Sequence, residues 1–373
     1  MTKYSNKNIL ITGGTGFIGS RLAERLVVEE NANVSVLVNS WAKATWVSRL
    51  NVNLIQGNIL DEEKLMEICK GIDIVFHCVG IGGTLEECMQ INVAGTQKVL
   101  EASLKNKVKR VVYFSSVVVS GPKIDEGLNE EDAFKKTGNS YADSKIEAEK
   151  LFLEFIKNND IEGTVIRPTF VWGPISPYYT IDIIQQIKSK SFQVVDEGSG
   201  SCNAVYIDNL VDLALVCGLH PKANLEVFLV RDAENISWKQ FYAYYAAMLQ
   251  IDISSFISIP SKSNFIRKST LNFKSVLDKF RLKLTNKVNS YTEKNALLTK
   301  IFFKAPRKIL KLMIKTIEKK YPEMDSWDLE TYSSKGFIDI SKAQKLLEFT
   351  PKVSIVDGMK ACEKSLKLQN YLN

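Results

Sequence analysis

Tyr141 and Lys145 stand four residues apart in Tyr141-Ala142-Asp143-Ser144-Lys145, a spacing that puts both on one face of a helix. That pairing suits proton transfer coupled to hydride transfer. A free phenol, with a pKa near 10, is a poor base, and an adjacent ammonium favours the phenolate and lowers that value. The phenol can then take a proton from an alcohol, or give one to a carbonyl, as hydride moves to or from a nicotinamide. The ammonium can also bond the nicotinamide ribose. Ser116, at the carboxyl end of a predicted strand, is placed to hydrogen-bond the reacting oxygen. Tyrosine and lysine at this spacing lie on many helix faces with no chemistry between them, so the surrounding elements decide the reading.

One such element is a glycine turn. Ile11-Thr12-Gly13-Gly14-Thr15-Gly16-Phe17-Ile18-Gly19 places glycines at 13, 16 and 19, just after a predicted strand and at the opening of a helix. Gly13 permits the tight turn, Gly16 lets the backbone approach a pyrophosphate, and Gly19 allows close helix–strand packing. The helix N-terminus offers free N–H groups and a partial positive charge to the anion. Thr15, Phe17 and Ile18 within the turn, with Asn58, Ile59, Val79, Asn92 and Pro168 elsewhere, complete the candidate contacts to an NAD(P) cofactor. Asn39 ends the second predicted strand, where an acid would hold the ribose hydroxyls of NAD. No acid is there to repel a 2′-phosphate and Lys43 is close enough to meet one, which points to NADP; Lys43 as a solvated surface charge is the competing reading.

These residues need a scaffold, and the apolar pattern supplies it. Strands are predicted at Asn8–Thr12, Val34–Val38, Val52–Gln56, Asp73–Val79, Arg110–Ser115 and Gly163–Arg167. Helices fall between them: one through Glu30, one from about Asp61, a long one over Thr84–Asn106, and one over Tyr141–Lys157. Near-continuous apolar strands alternating with helices give an α/β fold, a Rossmann-type doubly wound parallel sheet, with a smaller C-terminal substrate-binding part. Beyond Arg167-Pro168 the pattern loosens around Gly173, Pro174 and Pro177, where the carboxyl edge of the sheet should open into a cleft. Val205–Gly218 and Leu225–Val230 read as a helix and a strand returning to the sheet, and Trp238–Leu249 as an amphipathic helix. The organisation expected is a cofactor domain over 1–168, rejoined by 205–230, and a substrate part over 169–204 and 231–373.

Composition narrows the class. With 373 residues, 45% apolar and 24% charged, the chain is an ordinary globular one. Its only histidines, His77 and His220, are far apart, which argues against a His-built metal or triad site, and no metal is expected. Six cysteines (Cys69, Cys78, Cys88, Cys202, Cys217, Cys362) are scattered and read as reduced core residues. No signal-peptide core and no apolar run of about 18 residues is present, so a cytoplasmic protein is expected. The net charge of +7 is unevenly spread, because residues 261–320 hold seventeen Lys and Arg against three Asp and Glu.

Taken together, these motifs resemble the extended short-chain dehydrogenase/reductase family over most of the chain. The matching pieces are Thr12–Gly19, Asp73–His77, Asn92-Val93-Ala94-Gly95-Thr96, Phe114-Ser115-Ser116, Tyr141–Lys145, Arg167-Pro168 with Gly173-Pro174, Val205–Asp208, and Ile338–Ala343 followed by Phe349-Thr350-Pro351. The resemblance implies that Ser116, Tyr141 and Lys145 are the catalytic group and that Asn92 is the family's structural asparagine. Departures narrow the substrate. Dehydratases of this family carry an acidic pair after the catalytic Ser or Thr, where this chain has Val117-Val118-Val119; epimerases usually place Asn where it has Phe170, and Tyr where it has Ser120. The Arg-Pro and the apolar lining are more similar to the 3β-hydroxysteroid dehydrogenase and dihydroflavonol reductase branch. The expected function is interconversion of a ketone and a secondary alcohol on a partly apolar substrate, with Val118, Phe170 and Trp172 as candidate substrate contacts. A nucleotide-sugar epimerase or 4-keto-sugar reductase is the alternative within the family, and a non-catalytic NAD(P)-binding regulator is the alternative outside it. Retention of both Tyr141 and Lys145 favours an enzyme.

Several features lie outside that core. His77 ends the fourth strand and is read as a packed core residue. Trp172 fits a substrate pocket or a structural role equally, and Asp208 is read as a helix cap. The insertion at about 255–330 is longer than in most relatives; within it, 297–320 alternates apolar and basic residues, interrupted by Pro306. Such a stretch suits peripheral contact with an anionic membrane, or a helix pair with solvated lysines. A homodimer acting on a small molecule is expected, and nucleic-acid binding is not, since no recognisable module is present.

Overall fold

The structure, a computed structural model, describes residues 3–261 and 324–372. Most of the basic insertion, including the stretch 297–320 read above for membrane contact, lies outside the described residues.

Seven parallel strands form the central sheet. They are β1 (Asn8–Thr12), β2 (Asn33–Val38), β3 (Asn53–Gln56), β4 (Ile74–His77), β5 (Arg110–Phe114), β6 (Glu162–Pro168) and, returning late, a strand over Glu226–Val230. From one edge to the other, the order is Glu226–Val230, β6, β5, β4, β1, β2, β3. The strand order reverses between β1 and β4, so the carboxyl ends of those two strands flank the crevice where such sheets take their ligands. All residues of β4 and β5 are buried, as expected where helices cover both faces. Alternate side chains feed two cores: Ile9 and Ile11 pack on one face, Leu10 with Val75, Val111 and Tyr113 on the other.

The helices that position the site start where their caps allow. Helix α1 (Phe17–Val28) opens from Gly16 with no side-chain cap, which leaves its first N–H groups free of a side-chain acceptor. Helix α2 (Glu62–Ile68) is capped by Asp61, and α3 (Leu85–Cys88) by a reciprocal box between Thr84 and Glu87. The long helix predicted over Thr84–Asn106 is interrupted: a π-turn over Met89–Ala94 separates α3 from α4 (Gly95–Lys105). Helix α5 (Ser140–Asn158) is capped by Asn139, whose Oδ1 accepts from the Ala142 N–H at 3.0 Å.

The second correction falls at Val205–Gly218, read as one helix. Strand β7 (Phe170–Trp172) pairs in parallel with β8 (Ala204–Tyr206), and a helix over Ile207–Leu219 follows directly. Three buried apolar residues running straight into a helix leave no polar break to mark the change. Asp208 is not its cap: the Asp208 carboxylate accepts from Arg21 Nε at 2.6 Å and pins that helix to α1. The segment Gly336–Ile338 docks through Asn203, which donates to the Gly336 carbonyl and accepts from the Ile338 N–H. All six cysteines are free thiols, and no helix among the described residues is long and apolar enough to cross a membrane.

Candidate active site

Strand β5 ends at Phe114, and Ser116 lies just past it in extended backbone at the carboxyl edge of the sheet. Helix α5 packs along this edge and brings Tyr141 and Lys145 to the same place. Lys145 is 1% exposed; its Nζ donates to the Phe114 carbonyl at 2.6 Å and stands 4.4 Å from the Tyr113 ring centre. A charge in that position has little water around it, and burial pushes the ammonium down to about 7. Tyr141 is half-buried and raised from its ordinary value by desolvation, with the Ser116 hydroxyl drawing it back.

Gly80, missed in the sequence, completes this corner. A Cβ built on it would lie 3.8 Å from Lys145 Nζ and 3.9 Å from the Tyr141 hydroxyl. Bare backbone therefore faces the Tyr–Lys pair and leaves room for a flat group. The run Gly80-Ile81-Gly82-Gly83, right after β4, was the available clue. Asn92 fixes the same loop. Its Oδ1 accepts from the Ile81 N–H, and its Nδ2 donates to the Ile81 carbonyl and to Ser144 Oγ, each at 2.9 Å. Asn92 sits in the π-turn, and such turns are frequent at functional sites.

Across the crevice the three glycines of the turn differ in their surroundings. Gly13 has φ +75, and a side chain there would meet the backbone of Cys78 and Val79 at 2.8 Å. Gly19 is packed against Gly13 and Gly14, whereas Gly16 is exposed and its missing Cβ would meet only the Gly13 carbonyl, at 3.3 Å. An open glycine at an uncapped helix N-terminus fits a pyrophosphate. Thr15, Phe17, Ile18 and Val79 are half-buried around it, Ile59 and Pro168 are buried, and Asn39, Asn58 and Lys43 are exposed. His77 is a packed residue: Thr12 and Thr96 hold its two nitrogens at 2.6 and 2.9 Å, and burial lowers it to about 3.

The candidate substrate contacts separate. Trp172 is fully enclosed, its Nε1 donating to Asp232 at 2.7 Å, which supports the structural one of its two readings. Val118 is half-buried beside Ser116. Phe170 backs a wall of rings, 5.6 Å from Tyr179, 5.4 Å from Trp238 and 6.4 Å from Tyr332. In front of that wall is a cavity of about 200 Å³ whose lining includes Tyr178, Tyr179, Phe192, Tyr242, Tyr332 and Asp328. Ser116, Val118, Tyr141 and Lys145 are not among the residues that line it. Among the described residues its lining has no lysine, arginine or histidine.

The model of the 3-beta hydroxysteroid dehydrogenase/isomerase family matches residues 10–244. The chain belongs to that family. Among its relatives, a UDP-glucose 4-epimerase of Vibrio cholerae is 30% identical over 62% of this chain and 72% of its own length. A 2-alkyl-3-oxoalkanoate reductase of Shewanella oneidensis is 26% identical over 61% of this chain and 62% of its own. The solved UDP-glucuronic acid 4-epimerase of Bacillus cereus, in complex with UDP-glucuronic acid and NAD, shares the fold at a TM-score of 0.69 and 20% identity, covering 97% of this chain and 99% of that one. The family member described here is an enzyme of the NAD-dependent oxidoreductase and epimerase class.

Proposed function

We propose that the enzyme interconverts a ketone and a secondary alcohol on a partly apolar, ring-bearing substrate, with Ser116, Tyr141 and Lys145 as its catalytic group. The observation behind this reading is the meeting of Ser116, Tyr141 and Lys145 beside the bare backbone of Gly80; a separate cavity walled by rings supports the substrate class. The residues present fit an NAD(P) cofactor: Gly13, Thr15, Gly16, Phe17, Ile18 and Gly19 would cradle its pyrophosphate, and Asn39 would meet the adenosine ribose. When bound, the cofactor supplies or accepts the hydride. Ser116 hydrogen-bonds the reacting oxygen, and Tyr141 gives that oxygen a proton in reduction or takes one in oxidation. Lys145 holds the nicotinamide ribose. Lys43 with no acid at 39 favours NADP, although a structural neighbour was solved with NAD.

A nucleotide-sugar epimerase is the second reading, favoured by the Vibrio cholerae relative. The cavity argues against it. A diphosphate is best held by cationic partners, and the described lining offers none: five aromatic rings and the Asp328 carboxylate, with the amides of Gln186 and Gln193 as its side-chain N–H donors. The deciding experiment supplies NADH or NADPH with a panel of ring-bearing ketones, and separately UDP-glucose with NAD+ or NADP+, which accepts the hydride that epimerisation must first remove. Cofactor oxidation with a ketone and no UDP-galactose from UDP-glucose is the outcome expected; the reverse pattern would install the epimerase.

A further inference from the structure

Glu149 follows Lys145 by one helical turn, and its side chain is wholly enclosed. Its carboxylate takes Arg167 from β6 in a fork, with Nη2 donating to Oε1 at 2.6 Å and Nε donating to Oε1 and Oε2 at 3.0 and 3.2 Å. Ser115 Oγ donates to Oε2 at 2.5 Å. Ser115 is the residue after Phe114, whose carbonyl holds the Lys145 ammonium, so β5 links the lysine and the ion pair from below. A buried ion pair contributes little net stability, because desolvation offsets its attraction. Its effect on a neighbouring charge has no such cancellation when the neighbour lies nearer one partner.

The groups bearing on Lys145 come from three elements. Tyr141 and Glu149 share its helix, His77 and Cys78 belong to β4 and its following loop, and Tyr113 lies beneath it on β5. Burial keeps the thiol and both phenols protonated and the imidazole neutral. Glu149 is the one among them that brings a negative charge, and it favours the ammonium.

We propose that Glu149, clamped by Arg167 and Ser115, is a positioning residue that keeps Lys145 in its ammonium form beside Tyr141. The functional meaning of this rests on the role given to Lys145, whereas the titration of Lys145 can be measured without any turnover.

The test uses the full chain without cofactor, labelled with ¹³C-lysine, and follows the Lys145 Cε resonance against pH by NMR. Loss of the resonance in Lys145→Met assigns it, and exposed lysines stay charged to about pH 10. The wild-type midpoint should lie at about 7. Glu149→Gln removes the carboxylate and leaves Arg167 unmatched, so its midpoint should fall by about one unit or more. Glu149→Asp keeps the charge and should stay near wild type. Glu149→Gln/Arg167→Met removes both buried charges, and its midpoint should also fall. A fall confined to the variants that lack the carboxylate cannot come from loosened packing alone. An unchanged midpoint in Glu149→Gln, or a Glu149→Asp midpoint that falls as far, would overturn the proposal. If Glu149→Gln does not fold, an unchanged midpoint in Glu149→Gln/Arg167→Met overturns it.

Discussion

Lys145 Nζ lies 2.6 Å from the carbonyl oxygen of Phe114, two residues before Ser116, so one strand end holds both the ammonium and the hydroxyl of the proposed catalytic group. Burying that ammonium has a thermodynamic cost that depends on pH. Burial pushes Lys145 down to about 7, while in the unfolded chain a lysine keeps its proton to about pH 10.4. Between these values the unfolded state binds more protons, so this group makes the fold more stable as pH rises. Below about pH 7 folding must bury a full charge. Lys145→Met removes that requirement. Its stability relative to wild type should therefore be most favourable near about pH 6 and decline toward about pH 9. Urea unfolding at the two pH values measures the difference, and a difference independent of pH would falsify the burial argument.

Tyr141→Phe deletes one hydroxyl at a half-buried position and leaves the ring in place. The loss of a general acid/base should lower kcat by about 10²-fold or more. Cofactor affinity should stay nearly intact, because the cradle is on α1. Steady-state kinetics with fluorescence titration of the cofactor separate the two effects, and wild-type turnover in this variant would remove Tyr141 from the chemistry.

Gly16 and Gly13 should fail in different ways. Gly16 is exposed and a Cβ there would meet only the Gly13 carbonyl, at 3.3 Å, so Gly16→Val should stay folded at a small cost in stability and lose cofactor affinity. Gly13 has φ +75 and faces backbone at 2.8 Å, so Gly13→Ala should destabilise the fold itself, by at least the roughly 1–2 kcal/mol of a left-handed non-glycine residue. Calorimetric titration of the cofactor and thermal melting distinguish them. Undiminished affinity in Gly16→Val would mean that the pyrophosphate lies elsewhere.

The sheet and the Ser116, Tyr141 and Lys145 group were legible because each leaves a local pattern: continuous apolar runs, a glycine turn, a spacing of four. What was not legible is assembled at a distance. The ring-walled cavity joins Tyr178 and Tyr179 to Phe192, Tyr242 and Tyr332, and no short stretch of sequence contains its pattern. Gly80 has a role only because the loop after β4 passes over α5. The π-turn at Asn92 is set by its three hydrogen bonds to Ile81 and Ser144, and helical periodicity alone runs straight through it. Trp172 shows the same limit: the sequence leaves a pocket role and a structural role equal, and the choice turns on a hydrogen bond from its indole to Asp232, sixty residues away.

That hydrogen bond is itself testable. The buried Asp232 carboxylate accepts from the Trp172 indole, the Tyr206 N–H and the Asn209 amide at 2.7, 2.8 and 2.7 Å. Trp172→Phe removes one donor from an acceptor with no access to water. The fold should lose about 1–3 kcal/mol, with KM for the substrate unchanged. Denaturant unfolding gives the first quantity and initial rates the second; a raised KM in a stable variant would return Trp172 to the substrate pocket.

The ring-walled cavity gives the sharpest test of the substrate class. Tyr178 is 73% exposed and lines the cavity, so it is the ring that can be removed with least damage to the fold. If the remote part of the substrate packs against it before reaction, its loss weakens ground-state and transition-state binding alike, which raises KM and spares kcat. An aromatic contact is worth about 0.5–1.5 kcal/mol beyond the area it buries, so a rise in KM of about tenfold is expected in Tyr178→Ala with a ring-bearing ketone. A small acyclic ketone, too short to reach the wall, should show no rise. A nucleotide sugar gives a contrasting pattern, since its diphosphate sits poorly beside Asp328 and Asp328→Asn should then improve binding. Kinetic constants for the two ketones with Tyr178→Ala decide the matter: equal KM in variant and wild type for both would place the substrate outside this cavity.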